Sequence, residues 1–371
     1  MVEKRKVVLV GTGFVGMSMA YSLLNQGGVN ELILIDVAKE KAIGEAMDLS
    51  DGVPCASARM VIRAGDYDEC KDANIVVITA GVAQKPGETR LDLAKTNTKI
   101  ISEITENVVN SGFKGIFLIA SNPVDLMTYV VGKVSGFPTN KVIGSGTVLD
   151  TARLRFLVAE HLHVSSKNVH AYIMGEHGDS SFVPWSKSYI GCKPLKDIIT
   201  ERGEQEDILE NIYKQVQQEA YEIINKKKAT YYGIGMGLTK IIKAILNDEH
   251  EILTVSTYLD GEYGQKDIYI GVPAIVNSNG IQEILNLNLS KEENARFKEL
   301  QELGKEVKEI IRKKNENSER FKQMQEAYFK YQEESDKQLQ ELEAKIDSLM
   351  QKQEQEQTSK KHDENDDNEA R

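Results

Sequence analysis

The sequence predicts an α/β protein: a doubly wound parallel sheet, then an α+β domain, then a helical or disordered C-terminal tail. Three observations carry that expectation. First, short β-branched runs (VVLV at 7–10, LILI at 32–35, IVVITA at 75–80 and IFLIA at 116–120) alternate with longer helical patterns through the first 150 residues. Each run is continuously apolar, as expected for a strand covered on both faces of a parallel sheet. Second, from about residue 150 the texture changes to helical TARLRFLVAEHL, polar loops, the long helical EDILENIYKQVQQEAYEIINKKK, and strand-like ILTVSTYL and DIYIGVPAIV. Third, beyond about residue 315 neither glycine nor proline occurs. The segments expected from these changes are 1–146, 147–314 and 315–371, in keeping with roughly 150 residues per domain for a chain of 371.

The first strand ends in VLVGTGFVG, where Gly11, Gly13 and Gly16 have GxGxxG spacing and an apolar helical pattern starts at Phe14. Gly11 permits a tight turn, Gly13 lets the backbone approach a pyrophosphate, and Gly16 lets helix pack closely on strand. The helix N-terminus, with Phe14 and Val15 in its first turn, then turns N–H groups and a positive dipole end toward the phosphates. Glycine spacing alone is weak. Asp36, at the end of the second strand and twenty residues beyond Gly16, strengthens it: a carboxylate there accepts hydrogen bonds from ribose hydroxyls and repels a 2′-phosphate. The first segment therefore reads as a Rossmann-type dinucleotide-binding domain that favours NAD over NADP.

Four further segments set polar groups in apolar surroundings. AGVAQKPGETRLDL is a polar loop after a sheet strand, shaped by Pro86 and Gly87, from which Arg90 projects. Such loops lie where open α/β sheets bind ligands, and this one is long enough to act as a lid. SNPVD follows the IFLIA strand and contains Asn122, although an Asn-Pro pair is also an ordinary turn signal. GSGTVLDTARLRF sets Asp150 and Arg153 three residues apart at a helix start, on one face. That spacing allows either a local ion pair, or one group to orient an imidazole while the other binds a carboxylate. VHAYIMGEHGDS puts His177 in a glycine-flanked loop; an isolated histidine is more often structural.

Composition narrows the function classes. Fifty-seven acidic against 46 basic residues give a formal charge of -11, which opposes binding to nucleic acid or to an anionic membrane. Three widely spaced cysteines, Cys55, Cys70 and Cys192, suggest neither a disulfide framework nor a metal site, and a reducing, cytoplasmic setting fits. VVLV is too short for a signal-peptide core, and no apolar run approaches the roughly 20 residues of a membrane-spanning helix.

In the tail, Phe321, Met324, Tyr328, Tyr331, Leu339, Leu342, Ile346 and Leu349 follow a 3-4 spacing with one irregular step near Ser335, the pattern of a coiled-coil seam. The last twenty residues read as disordered and acidic.

VGTGFVG, QKPGETRLDL, SNPVD, LDTARLRF, GEHGDS and ATYYGIGMGL stand in the order found in L-lactate dehydrogenases, bacterial ones in particular, and the chain resembles that family from residue 5 to about 313. The resemblance implies that His177 is the proton donor and acceptor, Asp150 its partner, Arg153 the carboxylate anchor and Arg90 the lid arginine. It implies that Asn122 hydrogen-bonds the substrate or cofactor side of the site and that Thr230 lines the substrate pocket. Lactate dehydrogenases resemble this chain in having glutamine at the position of Gln84, where malate dehydrogenases have arginine, so pyruvate and lactate are the implied substrates and NAD the cofactor. Arg155 and His170 match an inter-subunit fructose 1,6-bisphosphate site, and a homotetramer is implied with it. The competing readings are a malate or broader 2-hydroxyacid dehydrogenase, opposed by Gln84, and a non-catalytic scaffold acting through the tail. The tail departs from the family, whose members usually stop soon after the segment matching EVKEIIRKK.

Overall fold

The computed structural model describes residues 5–82, 90–178, 180–205 and 207–297, without the side chains of 90–93 and 95. The chain divides into two units, Met1–Gly304 and Lys305–Arg371, and every described residue belongs to the first. The expected coiled-coil seam and acidic tail lie outside the described residues, as does Gln84.

The four apolar runs become β1 (Lys6–Val10), β2 (Glu31–Ile35), β4 (Ile75–Ile78) and β5 (Ile116–Ile119). All of their residues are buried, so each bulky aliphatic side chain contributes about 1.5–3 kcal/mol of transfer free energy. Helices α1 (Phe14–Gln26), α2 (Lys39–Gly52), α3 (Arg90–Asn110) and α4 (Val124–Ser135) connect them. Two further strands, β3 (Val61–Ala64) and β6 (Val142–Gly144), complete a parallel set in the order β6-β5-β4-β1-β2-β3. The order reverses between β1 and β4, the crevice where doubly wound sheets bind ligands.

The second half begins with α5 (Val148–Leu162), followed by a small antiparallel sheet of β7 (Val169–His170), β8 (Tyr189–Ile190) and β9 (Lys193–Pro194). Then come α6 (Leu195–Glu201), α7 (Asp207–Lys227) and α8 (Tyr232–Leu246). Strands β10 (Glu251–Asp260), β11 (Lys266–Asn277) and β12 (Gly280–Ile284) follow as an antiparallel meander. They do not form a sheet of their own. β10 pairs antiparallel with β6 through Ser256 and Gly144, extending the first sheet to nine strands.

Two close approaches position the site. α8 crosses α1 at Gly235, where a Cβ would stand 2.7 Å from the Ser18 Cβ. This brings the start of α8 to the glycine loop, and Tyr231 stacks on Phe14 with ring centroids 5.1 Å apart. At Gly271 of β11, a Cβ would meet the Thr147 hydroxyl at 2.7 Å, and Gly271 and Gly175 exchange backbone hydrogen bonds of 3.0 and 2.9 Å. The chain leading to His177 is thereby fastened to β11. Thr147 and Thr151 fasten it to α5, by bonds to the Ile173 carbonyl at 2.6 Å and from the Ile173 N–H at 2.9 Å.

Candidate active site

The glycine loop lies at the sheet's reversal point, and each glycine has a separate physical reason. Gly11 has φ +104°, and a Cβ on it would meet the Ala80 backbone nitrogen, just past β4, at 2.6 Å. Its N–H donates to the Ile35 carbonyl at 2.8 Å and its carbonyl accepts the Thr79 hydroxyl at 2.8 Å, so the turn is held from both neighbouring strands. A Cβ on Gly16 would stand 2.3 Å from the Gly11 carbonyl oxygen, the close helix–strand packing anticipated for the third glycine. Gly13 differs: among the described residues, and apart from its own neighbours in the chain, no atom lies within 4 Å of its would-be Cβ. It is the N-cap of α1, and no side chain caps that helix. The start of α1 therefore combines an N-cap without a side-chain bond with open space at Gly13, an arrangement suited to an anion.

Asp36 is held as an acceptor. Its Oδ2 takes the Thr12 N–H at 2.7 Å and the Thr12 hydroxyl at 2.8 Å, and its Oδ1 takes the Ala38 N–H at 3.0 Å. Burial pushes its pKa up, but these hydrogen bonds and the nearby Lys41 ammonium outweigh that and hold it below the ordinary value. A carboxylate has about four acceptor positions; three are filled, leaving one for a ribose hydroxyl. Open space at Gly13, an uncapped helix start and an ionised Asp36 fit a dinucleotide without a 2′-phosphate.

On the other side of the crevice, Asp150 of α5 links two cations. Its Oδ2 lies 2.7 Å from Nδ1 of His177, and its Oδ1 accepts from Arg153 Nη1 at 3.4 Å. Of the two sequence alternatives, the local ion pair is present, and the contact of Asp150 with the imidazole stands beside it through the other carboxylate oxygen. The Arg153 side chain is only 9 % exposed. Burial works against a charged His177 ring, but the charge and hydrogen bond of Asp150, with the charge of Asp125, push its pKa up to about 9 despite Arg153. Asp150 is correspondingly held low: burial raises it, and the His177 and Arg153 charges more than reverse that.

Asn122 follows β5 and is exposed; the peptide bond to Pro123 is cis. Its carbonyl accepts from Asn97 Nδ2 at 2.9 Å, while Asn97 Oδ1 accepts the Val82 N–H at 2.9 Å. Asn97 thus ties the start of the polar loop to the Asn122 turn. The loop ends sooner than expected: Arg90 opens α3, so RLDL is helical. The side chain of Arg90 lies outside the described residues. Thr230 is half-buried in the connection from α7 to α8, next to Tyr231. Arg155 faces the other way, donating from Nε to the Ala171 carbonyl at 2.9 Å with its guanidinium 4.8 Å from the Tyr172 ring centre, and His170 is exposed on β7.

Sequence reasoning missed Asn97, Thr12, Ser256 and Asp125. Asp125 lay within SNPVD, where its motif was the available signal; its two oxygens accept the His177 N–H at 2.9 Å and the Ser256 hydroxyl at 2.5 Å.

Comparison with known proteins agrees with this geometry. The lactate/malate dehydrogenase NAD-binding domain model matches residues 5–144, and the lactate/malate dehydrogenase alpha/beta C-terminal domain model matches residues 147–317. The chain is 55% identical over 294 residues to L-lactate dehydrogenase 2 of Bacillus anthracis, covering 79% of this chain and 93% of that protein. It is 53% identical over 313 residues to L-lactate dehydrogenase 2 of Lactococcus lactis subsp. lactis, covering 84% and 99%. Among solved structures, the minor L-lactate dehydrogenase from Enterococcus mundtii in its ligands-bound form superposes with a TM-score of 0.79 at 52% identity, over 80% of this chain and 95% of that one. With two adjoining domain models matched in order across the sheet, the glycine loop and the His177 site, the chain belongs to the lactate/malate dehydrogenase family.

Proposed function

We propose that this protein is an NAD-dependent L-lactate dehydrogenase that interconverts pyruvate and L-lactate. The observation that carries the reading is the 2.7 Å contact of His177 with an Asp150 that also holds the largely covered Arg153. The relatives named L-lactate dehydrogenase support the substrate.

Gly11, Gly13, Phe14, Val15, Gly16 and Asp36 hold the cofactor, with Asn122 on its substrate side. Bound NADH supplies the hydride that reduces the carbonyl carbon. His177 gives the carbonyl oxygen the proton on Nε2, the nitrogen that Asp150 does not engage, and keeps the one on Nδ1. In lactate oxidation the neutral ring takes the proton back. Asp150 fixes the ring and stabilises its charged form. Arg153 has five donors, one of them turned to Asp150, and the others suit a bidentate pair with the substrate carboxylate. Arg90 closes over the carbonyl oxygen as its charge develops, and water leaves. Gln84 accommodates the methyl group of pyruvate and offers a dicarboxylate no countercharge. Thr230 lines the pocket.

The segments 1–146 and 147–314 act as the cofactor and substrate domains. Arg155 and His170 form a cationic site for fructose 1,6-bisphosphate in a cytoplasmic homotetramer; a pyruvate KM unaffected by that effector would remove this part. The main test follows NADH absorbance with pyruvate and then oxaloacetate. Higher kcat/KM for pyruvate is expected; preference for oxaloacetate makes the chain a malate dehydrogenase, and no turnover of either leaves the scaffold.

A further inference from the structure

One carboxylate beside His177 has no part in the chemistry just assigned. Asp125, the second residue of α4, divides its oxygens between two other segments: Oδ2 accepts the His177 backbone N–H at 2.9 Å, and Oδ1 accepts the Ser256 hydroxyl at 2.5 Å. Ser256 lies on β10 at its pairing with Gly144 of β6. One side chain therefore joins α4, the histidine loop and the strand that carries the second half of the chain into the first sheet. Asp150 holds the ring of His177 and Asp125 holds its main chain, so the imidazole is gripped at both ends.

We propose that Asp125 is a positioning residue for His177, anchoring its backbone to α4 and β10 and supplying a second negative charge behind the ring that exchanges the proton. The proposal rests on the role given to His177 above. Among the described residues, the charged groups acting on this imidazole are Asp150 and Arg153 from α5 and Asp125 from α4, while Glu176 from the loop itself acts on Asp125; β10 contributes the uncharged Ser256. Burial pushes Asp125 up to about 6, against the hydrogen bonds from Ser256 and the His177 N–H. The carboxylate is thus ionised at neutral pH and protonates on mild acidification. Protonation removes its charge and turns one oxygen from acceptor to donor; the Ser256 hydroxyl can rotate to accept that proton, so the loss is of charge rather than of the tether.

Two substitutions separate tether from charge. In Asp125→Asn the amide oxygen still accepts the His177 N–H while its NH2 donates to the Ser256 oxygen, so the tether survives and the charge is lost. Asp125→Ala loses both. The experiment measures pyruvate reduction by the full-length chain across pH, with NADH binding measured separately. Asp125→Asn is expected to move the alkaline limb of kcat/KM to lower pH by about one unit, the effect of a unit charge several ångström away in a partly buried site. Asp125→Ala is expected to lose about 10²-fold in kcat through misplacement of the ring, more than Asp125→Asn loses, with NADH affinity retained. Ser256→Ala, which removes a donor favouring the ionised form, is expected to move the acidic limb upward, and it stands in if Asp125→Ala fails to fold. An active wild-type chain with unshifted limbs in Asp125→Asn and Ser256→Ala overturns this proposal alone. A wild-type chain that turns over no pyruvate overturns the functional reading and this one with it.

Discussion

Nδ1 of His177 lies 2.7 Å from Oδ2 of Asp150, although the two residues are 27 positions apart and stand on different elements. The contact exists because Thr147, the N-cap of the helix that carries Asp150, and Thr151, within that helix, bond the backbone at Ile173, and because Gly175 pairs with Gly271. The imidazole therefore meets a carboxylate already set in place. Asp150→Asn should preserve the packing and remove the charge, lowering kcat for pyruvate reduction by about 10²–10⁴-fold, the usual weight of general acid–base catalysis. Steady-state kinetics with saturating NADH checks it.

The same pair sets the direction of the pH dependence. The folded pKa of His177 lies above its ordinary value, at about 9, so the imidazolium that reduction needs persists through neutrality. Pyruvate reduction should fall about tenfold per unit above that value. Lactate oxidation needs the neutral ring and should rise over the same interval. Profiles of kcat/KM in the two directions that fail to cross in this way would contradict the pairing.

Gly16 and Gly13 should respond in opposite senses. Gly16→Ala gains about 1 kcal/mol of helix propensity, but its Cβ would meet backbone at 2.3 Å, and overpacking costs typically about 1–3 kcal/mol. The clash wins and Tm falls. Gly13→Ser puts a favoured N-cap residue into open space, so Tm holds or rises. The same side chain occupies the approach to the pyrophosphate, and NADH affinity should drop about tenfold. Thermal melts paired with NADH titrations distinguish the two.

The first sheet was legible because β1, β2, β4 and β5 are buried on both faces and read as unbroken apolar runs. β3 and β6 were not: β3 (VIRA) has an exposed Val61 and carries Arg63, so it shows no unbroken apolar run, and β6 has only three residues. Nothing local in ILTVSTYL reports that Ser256 pairs with Gly144, because that is a choice of partner made by tertiary packing. The site divides in the same way. Asp150, Arg153 and Asp36 stood at spacings with a mechanical meaning, whereas the role of His177, in a glycine-flanked loop, was legible only through the family resemblance. Asn97 and Ser256 act through hydrogen bonds across 25 and 131 positions, and no spacing rule reaches that far.

Gln84→Arg should raise kcat/KM for oxaloacetate relative to pyruvate, since it supplies a countercharge to the second carboxylate in a closing pocket. An unchanged ratio would show that position 84 does not read the substrate.

A chain ending at Lys314 should keep its turnover, because the residues that follow contain no constellation of groups able to do this chemistry. A large fall in kcat would make the tail part of the enzyme.

The most direct test replaces His177 by Asn and compares kcat/KM for pyruvate with that of the wild-type chain, with NADH affinity measured alongside. A loss of about 10³-fold or more at unchanged NADH affinity is the predicted result. Pyruvate reduction at the wild-type rate would contradict the account, because the proton would then come from another group.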